Sequence, residues 1–230
     1  MRARRAGALA AALLGAGLAA TAAGAHEGAH PVADSAPALA YELPAAGSYE
    51  LPPIQRVADR VLLGTDARPA KLLDLAPGQV AVVSFTYLGC RDPAGCPLVL
   101  ATLVRLDRAL AARPDLVRRV RLVSVSFDPA RDRPAELARL REGLGPRADW
   151  RFLTAPDEDA LAPVLAEFGQ EVDVLEPSGD APPALGHVLK VFLVDAQGDV
   201  RNVYSTGFLD HRLLLRDVET LLREPAAPPR

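Results

Sequence analysis

From about residue 50 onward, the apolar residues fall into two alternating periodicities. Val80-Ala81-Val82-Val83-Ser84-Phe85-Thr86-Tyr87 is a nearly continuous apolar run rich in β-branched residues, as in a strand buried on both faces. Val120 to Phe127 repeats the pattern, and Asp128-Pro129 ends it. Between these runs, Val99, Leu103, Leu106 and Leu110 share one helical face of a segment from Pro97 to Ala112. Pro97 suits its first helical position. Pro134 to Leu144 predicts a second helix, Trp150 to Thr154 a short strand, and Asp157 to Phe168 a helix opened by acidic residues that suit its dipole. Val188 to Val194 and Val200 to Tyr204 predict strands around the hairpin loop Ala196-Gln197-Gly198-Asp199, and Leu209 to Leu222 predicts a closing helix. Upstream, Val57 to Leu63, a turn at Gly64-Thr65-Asp66, and Lys71 to Leu73 predict an N-terminal β-hairpin. Strands alternating with helices imply an α/β fold, with helices on both faces of a mostly parallel sheet to which the last hairpin adds antiparallel strands.

Composition divides the 230-residue chain before that domain begins. Residues 1–40 hold 17 Ala, and no charge appears between Arg5 and Glu27. Arg2, Arg4 and Arg5, the apolar stretch Ala6 to Ala23 and the small residues Ala23-Gly24-Ala25 make residues 1–25 an expected signal peptide cleaved after Ala25. The alternative is an uncleaved N-terminal anchor. Either way the domain is expected outside the cytoplasm, in the periplasm. Residues 26–50 read as an Ala/Pro-rich linker, 51–224 as the folded domain and 225–230 as a disordered tail. Removing residues 1–25 takes three Arg and no acid from a formal net charge of −3, leaving −6. With no basic block, nucleic acid is not an expected partner, and a membrane is one only through an uncleaved anchor.

Two cysteines are too few for a disulfide-rich scaffold or a four-thiolate zinc site, and the only Met is the initiator. Both cysteines lie directly after the first long strand, in Tyr87-Leu88-Gly89-Cys90-Arg91-Asp92-Pro93-Ala94-Gly95-Cys96-Pro97. Cys96 falls at the expected N-cap of the helix that Pro97 begins. The positive dipole end and free N–H groups there favour a thiolate. The carboxyl end of such a strand is also where ligands bind in parallel sheets. In an exported protein the pair is open to metal binding, thiol exchange or a permanent disulfide; the last would contribute about 2–3 kcal/mol for so short a loop.

A Cys pair after the first long strand of this element order is the thioredoxin-like layout. More specifically, the segment resembles the signature of the Sco/SenC family, the copper proteins of cytochrome c oxidase assembly. Ser124-Val125-Ser126-Phe127-Asp128-Pro129, followed by Arg131-Asp132-Arg133-Pro134, is similar to the family's Ser-x-Asp-Pro-x-x-Asp-x-Pro stretch. Gly186-His187, ahead of Leu193-Val194-Asp195-Ala196-Gln197-Gly198, is similar to the family's metal-ligand His before its last hairpin. The likeness runs from about residue 50 to residue 222, with one departure: the family has three residues between its cysteines, and this chain has five. The resemblance implies copper, as Cu(I) or Cu(II), held by Cys90, Cys96 and His187, which is a thiolate and imidazole set suited to that metal. It also implies delivery to a respiratory oxidase subunit or exchange with another copper chaperone. Asp128 and Asp92 are candidates for holding these residues in place, although each also suits a turn.

A thiol–disulfide oxidoreductase is the other reading. In it Cys90 attacks a partner's disulfide and Cys96 resolves the mixed disulfide, although the helix dipole favours the thiolate on Cys96. A Cys₂His zinc site lacks an acidic residue at telling spacing to act as a base. The Pro-x-x-x-Thr-x-x-Cys pattern of peroxidatic loops and the Cys-x-x-Cys of a conventional thioredoxin are both absent. After cleavage at Ala25, His26 would offer an amine and an imidazole to Cu(II), with His30 nearby; the plain alternative is a polar chain start. His211 is expected to be an exposed residue at the start of the last helix.

Overall fold

The computed structural model describes residues 38–39, 41–90, 92–175 and 184–224. Residues 1–25, expected to be a signal peptide, together with His26, His30 and residues 225–230, lie outside the described residues. Among the described residues ten strands and four helices follow in order: β1 (Gln55–Arg56), β2 (Val61–Leu63), β3 (Pro69–Lys71), β4 (Val80–Thr86), α1 (Cys96–Ala111), β5 (Val120–Ser126), α2 (Pro134–Leu144), β6 (Asp149–Leu153), α3 (Glu158–Phe168), β7 (Val172–Leu175), β8 (Ala184–His187), β9 (Val191–Asp195), β10 (Asp199–Tyr204) and α4 (His211–Leu221).

Six strands form one mixed sheet in the order β1-β10-β9-β4-β5-β6, with β4, β5 and β6 parallel and β9, β10 and β1 antiparallel to their neighbours. The continuous apolar runs become β4 and β5, in which all seven residues of each strand are buried. Alternation sorts their side chains onto two cores. Val80, Val82, Val120 and Leu122 pack with Val99, Leu103, Leu106 and Leu110 of α1 and with Leu214 and Val218 of α4. Ala81, Val83, Phe85, Val123 and Val125 pack with Leu62 and with Leu161, Val164 and Phe168 of α3. Each fully buried aliphatic side chain contributes about 1.5–3 kcal/mol, so both faces of the sheet are needed. The arrangement is α/β and thioredoxin-like, with a mixed central sheet between helices. Among the described residues no helix is long and apolar enough to cross a membrane.

The predicted N-terminal hairpin is present as β2 and β3, paired Val61↔Lys71 to Leu63↔Pro69, and it forms a sheet of its own. The predicted strand at Val188 starts instead at Val191, and His187 belongs to a separate β7–β8 hairpin that periodicity does not indicate. Gly198 turns the last hairpin at φ +80°, with Val57 O only 2.6 Å from where a Cβ would stand. Only glycine fits that approach.

Residues before β1 dock on α4. Gly47 N–H donates to Thr220 Oγ1 at 3.0 Å, the Tyr49 hydroxyl donates to Asp217, and Arg223 donates to Ala46 O. Buried Asp217 also accepts Asn202 Nδ2 at 2.8 Å and Tyr204 O–H at 2.7 Å. Three donors on one buried carboxylate satisfy it.

Candidate functional site

The site lies at the carboxyl end of β4, where the chain leaves the sheet. Tyr87 is buried, and Leu88 N–H donates to Asp132 Oδ2 at 2.9 Å. The same oxygen accepts Ser126 Oγ at 2.6 Å, so a carboxylate that is 2% exposed joins the start of the cysteine loop to the end of β5. Burial pushes the Asp132 carboxyl above the usual range, against the two hydrogen bonds that favour its charge. Asp132 is a positioning residue that sequence reasoning places in a motif without a role. The signal was its place three residues after Asp128-Pro129, but its target, Leu88, is 44 residues away in the chain.

The loop then turns back on itself. Cys90 N–H donates to Tyr87 O at 3.3 Å, Ala94 N–H to Asp92 Oδ1 at 2.9 Å, and Gly95 N–H to Asp92 O at 3.0 Å. The Cys90 thiol approaches the same Asp92 carbonyl at 4.0 Å. Gly95, not Cys96, is the N-cap; Cys96 is the first helical residue, followed by Pro97. Both cysteines are free thiols, Cys90 partly exposed and Cys96 2% exposed.

His187 closes the site from β8. Its Nε2 stands 4.0 Å from Cys96 Sγ, and its Nδ1 lies 3.3 Å from Val188 O. With the proton on Nδ1 donated to that carbonyl, Nε2 presents a lone pair to the sulfur. The Phe127 ring meets the imidazole edge-on at 4.6 Å, and Tyr87 packs on Phe127 at 5.0 Å. Tyr87 also ties the hairpin down, since its hydroxyl lies 3.5 Å from Leu185 O and accepts Leu185 N–H at 3.4 Å.

The electrostatics reverse one expectation. Burial, reinforced by the neighbouring Cys90 thiol, pushes Cys96 up to about 12, outweighing the backbone hydrogen bonds that favour its thiolate. Desolvation inside the apolar layer therefore outweighs the backbone hydrogen bonds at the helix start and keeps Cys96 protonated at neutral pH. Burial holds His187 below its usual value of 6.5, opposed by Val188 O and by the negative charge of Asp92, so the ring is neutral at pH 7, the form that binds metals.

Among the described residues no three His, Cys, Asp or Glu side chains converge closely enough to hold a metal ion as they stand. The Cys96–His187 pair is nonetheless near ligand spacing. With zinc's bond lengths as a yardstick, one ion bonded trigonally to both atoms would hold them about 3.7 Å apart. The donors are two sulfurs and one imidazole nitrogen, a set that suits soft and borderline ions. Asp92 lies within electrostatic range of His187. Asp128 acts elsewhere: its carboxylate pairs with Arg131 at 2.5 Å and its carbonyl accepts the amides of Arg131 and Asp132, which fixes the turn after β5. His211 is largely covered, with 18% of its side chain exposed beside Asp210, the α4 N-cap, so it is not the exposed residue expected.

A cysteine loop opening a helix at the end of a central strand, faced by a His-bearing hairpin, defines a thiol site on a thioredoxin-like frame. The SCO1/SenC family model matches residues 62–223, and the chain belongs to that family. Among solved structures, a SCO1/SenC family lipoprotein from Bacillus anthracis is 24% identical with a TM-score of 0.61, covering 74% of this chain and 96% of its own. Arabidopsis thaliana ScoI, solved with copper bound, is 18% identical with a TM-score of 0.59, covering 71% and 95%. BsSco, described with a disulfide switch as a member of the Sco family of cytochrome c oxidase assembly proteins, is 24% identical with a TM-score of 0.53, covering 76% and 94%. No curated protein sequence matches the chain.

Proposed function

We propose that this protein is an exported copper chaperone that carries copper on Cys90, Cys96 and His187 and supplies it during assembly of a respiratory oxidase copper centre, directly or through another copper chaperone. The observation that carries the proposal is the 4.0 Å approach of His187 Nε2 to Cys96 Sγ from a separate hairpin, with Cys90 folded back toward the same helix start. Copper bound to ScoI of Arabidopsis thaliana and the oxidase-assembly role stated for BsSco's family support the choice of metal and recipient. Thiolates are the ligands, so uptake by the protonated Cys96 releases a proton. Anaerobic copper titration of the reduced protein tests the proposal: wild type takes up one equivalent, and His187→Ala binds at least tenfold more weakly. Equal affinity in both proteins would overturn it. Export after Ala25 predicts a mature chain that begins at His26, to be read by mass spectrometry of the protein from cells.

The exposure of the two thiols favours a second activity of the same pair. Cys90 is reachable from solvent while Cys96 is buried beside it. In thiol–disulfide exchange Cys90 would attack and Cys96 would resolve, without need of His187. Exchange rates unchanged in His187→Ala would mark this as a separate activity.

A further inference from the structure

A five-residue spacer must bring Cys90 back to Cys96, and the loop does so at a place where a side chain is missing. A Cβ built on Gly95 would stand 3.2 Å from Cys90 Sγ, 3.3 Å from Asp92 O and 3.4 Å from Asp92 Cβ. The first two distances are tighter than ordinary contact. The Asp92 carbonyl is fixed by Gly95 N–H at 3.0 Å, and the Asp92 side chain by Ala94 N–H at 2.9 Å. The Cys90 sulfur, on a single rotatable bond, is the atom free to move.

We infer that Gly95 is a positioning residue for the thiol pair: its bare Cα is the surface on which the Cys90 sulfur rests, and this seat lets cysteines with five residues between them work as one unit. The turn from Asp92 to Gly95 takes up the added length, with Asp92, Pro93 and Ala94 exposed and Gly95 buried under the sulfur. Three features of the loop then have one explanation: Asp92 closes the turn twice, Gly95 leaves the gap, and Cys90 fills it. The inference deepens the copper reading and rests on it for the metal, but the pairing of the two thiols stands apart from any metal.

The test separates the two. In a glutathione buffer, Cys90 and Cys96 form a disulfide by giving two protons and two electrons to oxidised glutathione, which becomes two reduced molecules. A side chain at position 95 drives the Cys90 sulfur off its seat and lowers its effective concentration at Cys96. The disulfide equilibrium constant of Gly95→Ala is expected to fall at least tenfold, raising the midpoint potential by about 30 mV or more for this two-electron couple. Copper affinity, read by competition with a chromogenic chelator, is expected to fall with it. Gly95→Ser carries the same Cβ but restores a good helix N-cap. It must behave like Gly95→Ala if contact is the cause, and recovery in the Ser variant would assign the effect to capping and overturn the inference.

Wild-type potential and affinity in both variants would overturn it as well. So would loss of the fold by circular dichroism, since the three nearest contacts of the Cβ belong to Cys90 and Asp92 in the loop. A wild type that takes up no copper defeats the chaperone reading alone, and the potential shift then decides the role of Gly95.

Discussion

Two hairpins stand outside the main sheet, and they are held in opposite ways. β2–β3 is built into the core. Leu62 is 2% exposed and Leu72 fully buried, Leu63 and Thr154 exchange backbone hydrogen bonds at 2.8 and 3.0 Å, and Asp59 accepts Leu73 N–H at 2.7 Å. β7–β8, which carries His187, turns Val174 and Leu175 toward solvent and is attached through Tyr87, Phe127 and Gln170, whose Nε2 donates to Val188 O at 3.0 Å. One hairpin is fixed by fully buried side chains, the other by the partly buried Val172 and Leu185 and a few contacts made around the site. Elements that must open to pass a ligand are drawn from the less stable parts of a fold. The hairpin bearing His187 meets that description, and β2–β3 does not.

The sharpest way to break the contrast is to weaken the wrong hairpin. Leu62→Ala should cost about 2–5 kcal/mol of global stability, measured by urea unfolding, while the folded protein keeps its copper affinity. Loss of copper uptake by protein that is still folded would show that the hairpins are coupled. Tyr87→Phe should cost up to about 1 kcal/mol, felt locally: hydrogen exchange should quicken about fivefold at β7–β8 amides and stay unchanged at β2–β3.

Acid should act in the same place. The folded state disfavours protonation of His187, so its contribution to stability is present above about pH 6.5 and is lost as the pH falls below it. Exchange at β7–β8, corrected for intrinsic chemistry, should therefore rise between pH 7 and 5, and His187→Gln should abolish the rise. The smallest effect is expected at Val174, which is 71% exposed. Val174→Thr should stay within about 0.5 kcal/mol in unfolding experiments, and a larger loss would mean that this strand is covered.

How much of this was legible in the sequence depended on whether burial or return contact decided the matter. β4, β5, α1 and α2 were legible because long apolar runs or a clear helical face define them, and α2 starts and ends at the residues expected, Pro134 and Leu144. β7–β8 was not. Val172-Asp173-Val174-Leu175 is four residues long with Val174 and Leu175 exposed, so no buried face imposes a pattern. The loop chemistry divided in the same way. The cysteines and His187 were visible as residue types, but the protonation of Cys96 was misread because position at a helix start is local, whereas the apolar layer over it is assembled from distant strands. The hold of Asp132 on Leu88 and the seat at Gly95 likewise depend on chain segments meeting in space.

The docked arm has a consequence for the helix it covers. α4 starts beside the carboxyl end of β4 and runs back to the opposite pole, where Arg119 reaches Leu222 O at 3.2 Å. Gly47 and Ala46 are bonded to Thr220 and Arg223 at that far pole. Upstream of them Tyr41 lies within electrostatic range of Arg212 near the start of α4, so the arm runs along that helix from its first turn to the far pole. The arm thus straps both ends of α4, and lifting it would strip that helix at its first turn and at the far pole together.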